Sequence, residues 1–96
     1  MKFRAGMRIW IPCDVKPGPF PDERMVRVTH QGGEWLGFVN VSSLRDQIEE
    51  GATFVLAIVE DIEADRFTAR LPGDAVTSAP FLGTVGKVEP VGPLQA

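Results

Sequence analysis

Ninety-six residues, 44% hydrophobic and 24% charged, make one globular domain of ordinary size that can bury a modest core without staples. A single cysteine, Cys13, excludes an internal disulfide and fits a reducing compartment. No stretch approaches the roughly 20 apolar residues that span a bilayer, and MKFRAGMRIW holds no apolar run of signal-peptide length, so a cytoplasmic protein is expected. The net charge of −3 argues against a polyanionic partner for the molecule as a whole. Its distribution is uneven: residues 1–45 carry +3 and residues 46–96 carry −6. That segregation suits a barrel with one mildly basic side, and equally an ordinary solvated surface.

In chain order, Met7-Arg8-Ile9-Trp10-Ile11 alternates as a strand that should end at Pro12. Lys16 to Asp22, with prolines at 17, 19 and 21, reads as a stiff loop that cannot join a central sheet. From Arg24 to His30, Val26 and Val28 fall on one face and Met25, Arg27 and Thr29 on the other. Gln31-Gly32-Gly33-Glu34 turns the chain into a third strand, Trp35 to Val41, which makes a hairpin. Ser43 to Asp46 has capping-box spacing, and Leu44 with Ile48 forms one apolar stripe, so a short helix is expected near residues 43–50 and stopped by Gly51. Ala52 to Ile62 is the most apolar stretch and reads as the best buried strand. Glu63-Ala64-Asp65 turns it, and Arg66 to Leu71 returns. A further strand, Phe81 to Val88, precedes a Pro/Gly-rich tail. The expected core is Ile9, Ile11, Val26, Val28, Val39, Val41, Phe54, Leu56, Ile58, Phe67 and Leu71.

Three strands, a short helix and two strands is the order of an OB-fold, a five-stranded Greek-key barrel. The fold class is therefore all-β: a small OB-like barrel of five to six strands, with an SH3-like barrel as the alternative. One domain spans 1–96, the barrel occupying about residues 7–73 and the extra strand and tail 74–96. Gly37-Phe38-Val39-Asn40-Val41-Ser42-Ser43-Leu44, and then Phe54 to Leu71 with an acidic turn and an arginine-bearing last strand, resemble the RNA-binding OB domain repeated in the largest protein of the bacterial small ribosomal subunit. The resemblance covers residues 35–71. It implies an OB fold and a stacking platform for RNA. In that family an aromatic stands in strand two and a histidine in strand three; here strand two has no aromatic and the histidine position is Asn40.

Ligands of OB-folds lie across strands two and three, where aromatics stack on bases and Arg or Lys track phosphates. The candidate nucleic-acid-binding residues are Lys16, Phe20, Arg27, Trp35, Phe38 and Asn40. The bland alternative puts Phe38 in the core and Trp35 at a barrel end. Arg24 also lies nearby but cannot share a face with Arg27 under strict alternation. Arg66, Thr68 and Arg70 fall on one face of the last strand and read as a solvated stripe beside acids such as Glu60 or Asp61. Asp61, Glu63 and Asp65 lack the ligand loop that a hard cation needs, and one His with one Cys cannot make a structural zinc site. Cys13 with His30 as base has no supporting local signature; a buried inert thiol is the expected state. Gly83 to Lys87 lacks the glycine, hydroxyl and helix of a phosphate loop. No cofactor, metal or catalytic set is evident, so a binding module is expected rather than an enzyme. The leading expectation is weak binding of single-stranded RNA or DNA, weak because few basic residues can displace counterions. The alternative is a protein-interaction or homo-oligomeric assembly module that uses the extra C-terminal strand.

Overall fold

Branched apolar residues alternating with polar ones build extended strands, and glycine or proline punctuation folds them back on one another. In the computed structural model, which describes residues 4–30, 33–75, 81–84 and 89–90, these strands form one antiparallel sheet curled into a half-barrel, a small OB-like barrel. The strands are β1 (Arg8–Pro17), β2 (Glu23–His30), β3 (Gly33–Asn40), β4 (Gly51–Glu63), β5 (Arg66–Arg70), β6 (Asp74–Ala75), β7 (Phe81–Thr84) and β8 (Glu89–Pro90). Their lateral order is β6-β3-β2-β1-β4-β5-β7, with β8 paired to β1. Curling brings β7 back to β2, where the Leu82 N–H donates to His30 Nδ1 at 3.2 Å.

The β2–β3 hairpin holds its register from Glu23 opposite Asn40 to His30 opposite Gly33. Its inward side chains, Val26, Val28, Trp35 and Val39, are buried with Ile9, Ile11 and Val15 of β1 and with Phe67 and Leu71. Full burial of each branched side chain stabilises the fold by about 1.5–3 kcal/mol. Gly73 has φ +85°, and a Cβ there would collide with the Phe38 carbonyl, so the turn into β6 requires glycine.

Several sequence expectations change. β1 does not stop at Pro12 but runs on to Pro17. Pro12 stands between the stretch of β1 paired to β8 and the stretch paired to β2, where a missing N–H costs least. The helix over 43–50 is replaced by a single 3-10 turn, Val41–Ser43, capped by the Asn40 side chain, which accepts from the Ser42 N–H at 2.9 Å. The next residues cannot be helical because their backbone is committed to β4: Leu44 bridges Val55, and the Arg45 N–H donates to the Phe54 carbonyl at 2.8 Å.

The expected face of β4 is inverted. Thr53, Val55, Ala57 and Val59 point inward, whereas Phe54, Leu56 and Ile58 are half-buried on the outside. The register gives the reason. Ile9 faces Ala57, Ile11 faces Val55 and Cys13 faces Thr53, so small residues of β4 accommodate larger ones of β1 in a narrow interior. Val41 is only partly buried, packed against the core rather than within it. Of the expected C-terminal strand, Phe81–Thr84 pairs with β5 and residues 85–88 lie outside the described residues; Glu89–Pro90 pairs with β1.

Candidate nucleic-acid interface

Strand alternation sorts the candidates. On the outer face of β1, β2 and β3, Lys16 stands opposite Met25 and Met25 opposite Phe38; one row along, Asp14 stands opposite Arg27 and Arg27 opposite Leu36. These two rows border a cleft of about 280 Å³ lined by Asp14, Lys16, Met25, Arg27, Leu36 and Glu50 among others. Lys16, Arg27 and Phe38 therefore share one face. Arg27 Nε lies 3.4 Å from Glu34 Oε2, both side chains about half exposed, an ion pair that solvent weakens.

Phe20 is 63% exposed in the turn between β1 and β2. That turn closes through the Gly18 N–H to the Glu23 carbonyl and the Glu23 N–H to the Phe20 carbonyl, both 3.1 Å. A Cβ on Gly18 would come within 2.8 Å of the Glu23 carbonyl oxygen, so glycine is needed for the close approach. Asn40, at the C-terminal end of β3 opposite Glu23, caps the 3-10 turn with its side-chain oxygen and donates from Nδ2 to Asp22 Oδ2 at 3.5 Å, beside the Phe20 turn. Trp35 is not on this face: it is 4% exposed, opposite Val28 in the core. Trp35 and Phe38 are three positions apart in one strand and cannot both point outward, a signal the sequence already carried. Arg24 is buried, donating to the Ile48 carbonyl at 2.8 Å and to the Pro21 and Glu23 carbonyls at 2.9 Å. It fastens the link between β3 and β4.

The other half of the outer face was not anticipated. Pro12 stands opposite Phe54, Trp10 opposite Leu56, and Ile58 is flanked by Arg8 on β1 and Arg70 on β5. The Arg45 guanidinium centre lies 4.0 Å from the Phe54 ring centre and 5.4 Å from that of Trp10, within cation–π range. No local pattern pairs Arg45 with Trp10, which is distant in the chain. A second cleft, of about 400 Å³, is lined by Pro12, Asp14, Arg27, Asp46 and Phe54 among others. It shares Asp14 and Arg27 with the first cleft, so the two halves are continuous.

The Arg66–Arg70 stripe divides: Arg66 stands opposite Glu63 and Thr68 opposite Asp61, but Arg70 stands opposite Ile58. Cys13 is buried, and loss of solvation, aided by the neighbouring Asp14 charge, pushes its thiol up to about 12 against a hydrogen bond with the Thr53 backbone that acts the other way. A thiol so held is protonated at neutral pH and is not a nucleophile. Among the described residues no group of three or more His, Cys, Asp or Glu is placed to hold a metal ion, and no helix is long and apolar enough to cross a membrane. No protein-family model, curated protein or solved structure matches the chain.

Proposed function

We propose that this chain is a small OB-like binding module that holds single-stranded RNA or DNA weakly across the outer face of its sheet. The observation that carries the reading is the joint presence of Lys16, Arg27 and Phe38 on the outer face of β1–β3, beside the exposed Phe20 loop. Ligands of OB-folds lie at this position, and a π-face with nearby cations suits any base and its phosphate. The resemblance of residues 35–71 to a ribosomal RNA-binding domain points the same way. Asp14, Glu34 and Glu50 lie close to Lys16 and Arg27, so affinity is low, and with few phosphate contacts it falls only modestly as salt rises. The test is an NMR shift map with short single-stranded oligonucleotides at about 50 mM and about 150 mM salt. Shifts at Lys16, Phe20, Arg27 and Phe38 that shrink at the higher salt support the reading; no shifted resonance anywhere at low salt ends it.

A second reading, a protein partner, is favoured by one specific feature. The cleft floor is Met25 and Leu36, edged by charges of both signs, a composition closer to a protein interface than to a phosphate track. A protein partner would leave the oligonucleotide map blank.

A further inference from the structure

The outer face of β1, β4 and β5 groups aromatic rings with arginines, and its composition differs from that of the neighbouring cleft. Three adjacent rows, Pro12–Phe54, Trp10–Leu56 and Arg8–Ile58–Arg70, run from Phe54 to Ile58 along β4, roughly 13 Å at about 3.3 Å per residue step. Arg8, Arg45 and Arg70 lie in or over these rows. Among the described residues, Glu89 is the acid whose register falls within them, opposite Trp10 on β8. Asp14 and Asp46 line one cleft with Pro12 and Phe54 at one end of the face, and Glu60 follows Ile58 on β4 at the other.

Arg45 is held in place rather than swinging free: its own N–H binds the Phe54 carbonyl, and its guanidinium rests on two rings. Stacked guanidinium and indole planes are what an unpaired base stacks on. Arg8 and Arg70 flank Ile58 from strands on either side, their backbones roughly 10 Å apart at about 4.8 Å per strand spacing, and can track a phosphate backbone crossing between them. An acidic protein offers charge to the arginines but no planar partners to the rings.

We infer that this Arg8–Trp10–Arg45–Phe54–Arg70 face is the principal docking surface for single-stranded nucleic acid, reached along the groove that joins it to the Lys16–Arg27 cleft. The inference rests on the nucleic-acid reading above and moves the main contacts from the β1–β3 half of the outer face to its β1–β4–β5 half. Arg8 and Arg70 supply phosphate contacts; Trp10 supplies a stacking plane.

The test is fluorescence anisotropy of a labelled oligothymidylate on the full chain, over a salt series. It compares the wild type with Arg8→Gln/Arg70→Gln, Lys16→Gln/Arg27→Gln and Trp10→Leu, each first checked for an unchanged fold by NMR. Removing both arginines should flatten the slope of log K against log salt by about 1.4, two contacts at about 0.7 each. Trp10→Leu should weaken binding roughly 5- to 150-fold, equivalent to the loss of one stacked base. Lys16→Gln/Arg27→Gln should change the slope by less than the arginine pair does. If Trp10→Leu fails to fold, the two charge variants decide alone. Wild-type binding lost mainly through Lys16 and Arg27 overturns the inference and leaves the function standing; absence of wild-type binding at low salt removes both. Equal competition by a polyglutamate peptide or by phosphatidylserine vesicles also overturns it, because the surface would then attract any anion.

Discussion

The two halves of the outer face belong to one sheet and share β1, yet they differ in what surrounds their apolar residues. On β1–β3, Met25, Leu36 and Phe38 sit among Lys16 and Arg27 on one side and Asp14, Glu34 and Glu50 on the other. On β1–β4–β5, Trp10, Phe54, Leu56 and Ile58 sit among Arg8, Arg45 and Arg70. The charge bias between the two halves of the sequence does not produce this division. Arg8 and Arg45 come from the basic half and Arg70 from the acidic half, while Glu60, Asp61, Glu63 and Asp65 gather at the exposed β4–β5 end. Folding redistributes charge by strand face and row, so a linear tally misplaces the basic side.

The largest effects should fall on the boundary between inside and outside that defines both faces. Trp35→Ala, in the core, should cost about 3–5 kcal/mol and Ile11→Ala about 2–5 kcal/mol. Leu56→Ala, on the outer face, should cost nearer 1 kcal/mol. Urea denaturation checks all three; a loss at Leu56 equal to that at Ile11 would show that the β4 faces are assigned the wrong way round.

That assignment marks how far the sequence could be read. The hairpin of β2 and β3 was legible because Val26 and Val28 alternate with Met25, Arg27 and Thr29, so only one face can be buried. β4 was legible as a strand but not in its orientation. Ala52 to Ile62 is apolar on both faces, and only the pairing of Ile9 with Ala57 and Ile11 with Val55 decides which goes in. The 43–50 segment misled for a different reason. Its capping pattern is genuine, but the bonds from Leu44 and Arg45 to β4 outweigh local helix propensity. On the outer face, alternation accounts for Lys16, Arg27 and Phe38 lying on one side of the sheet, while the Arg45 contact with Phe54 and Trp10 arises from tertiary packing and leaves no mark in the sequence.

A smaller effect concerns the closure of the barrel beside β2. His30 Nδ1 accepts the Leu82 N–H, which requires the neutral ring, and loss of solvation lowers its pKa from the ordinary value of 6.5. A base with a depressed folded pKa contributes its stability fully above the unfolded value and loses it as pH falls through the folded one. Acidification from about pH 7.5 to about pH 4.5 should therefore lower the protection of the Leu82 amide, measured against an unstructured chain at the same pH, more in the wild type than in His30→Gln, whose amide oxygen still accepts. Equal loss of protection in both proteins would remove His30 from the closure.

The smallest effect belongs to the cleft half. Arg27→Ala should cost less than about 1 kcal/mol of stability, since its ion pair with Glu34 is solvent-exposed. Thermal denaturation of the variant beside Glu34→Ala and the double variant measures the coupling. A coupling near 2 kcal/mol would mean that the pair is structural and that Arg27 is not available to a ligand.

The two tryptophans allow the most direct test of the account, because one lies on the proposed docking face and the other in the core. Two-dimensional NMR of the indole N–H groups during titration with a short oligothymidylate at low salt should move the Trp10 signal progressively and leave the Trp35 signal in place. A Trp35 signal that moves while Trp10 stays fixed, or two signals that both ignore the oligonucleotide, would contradict it.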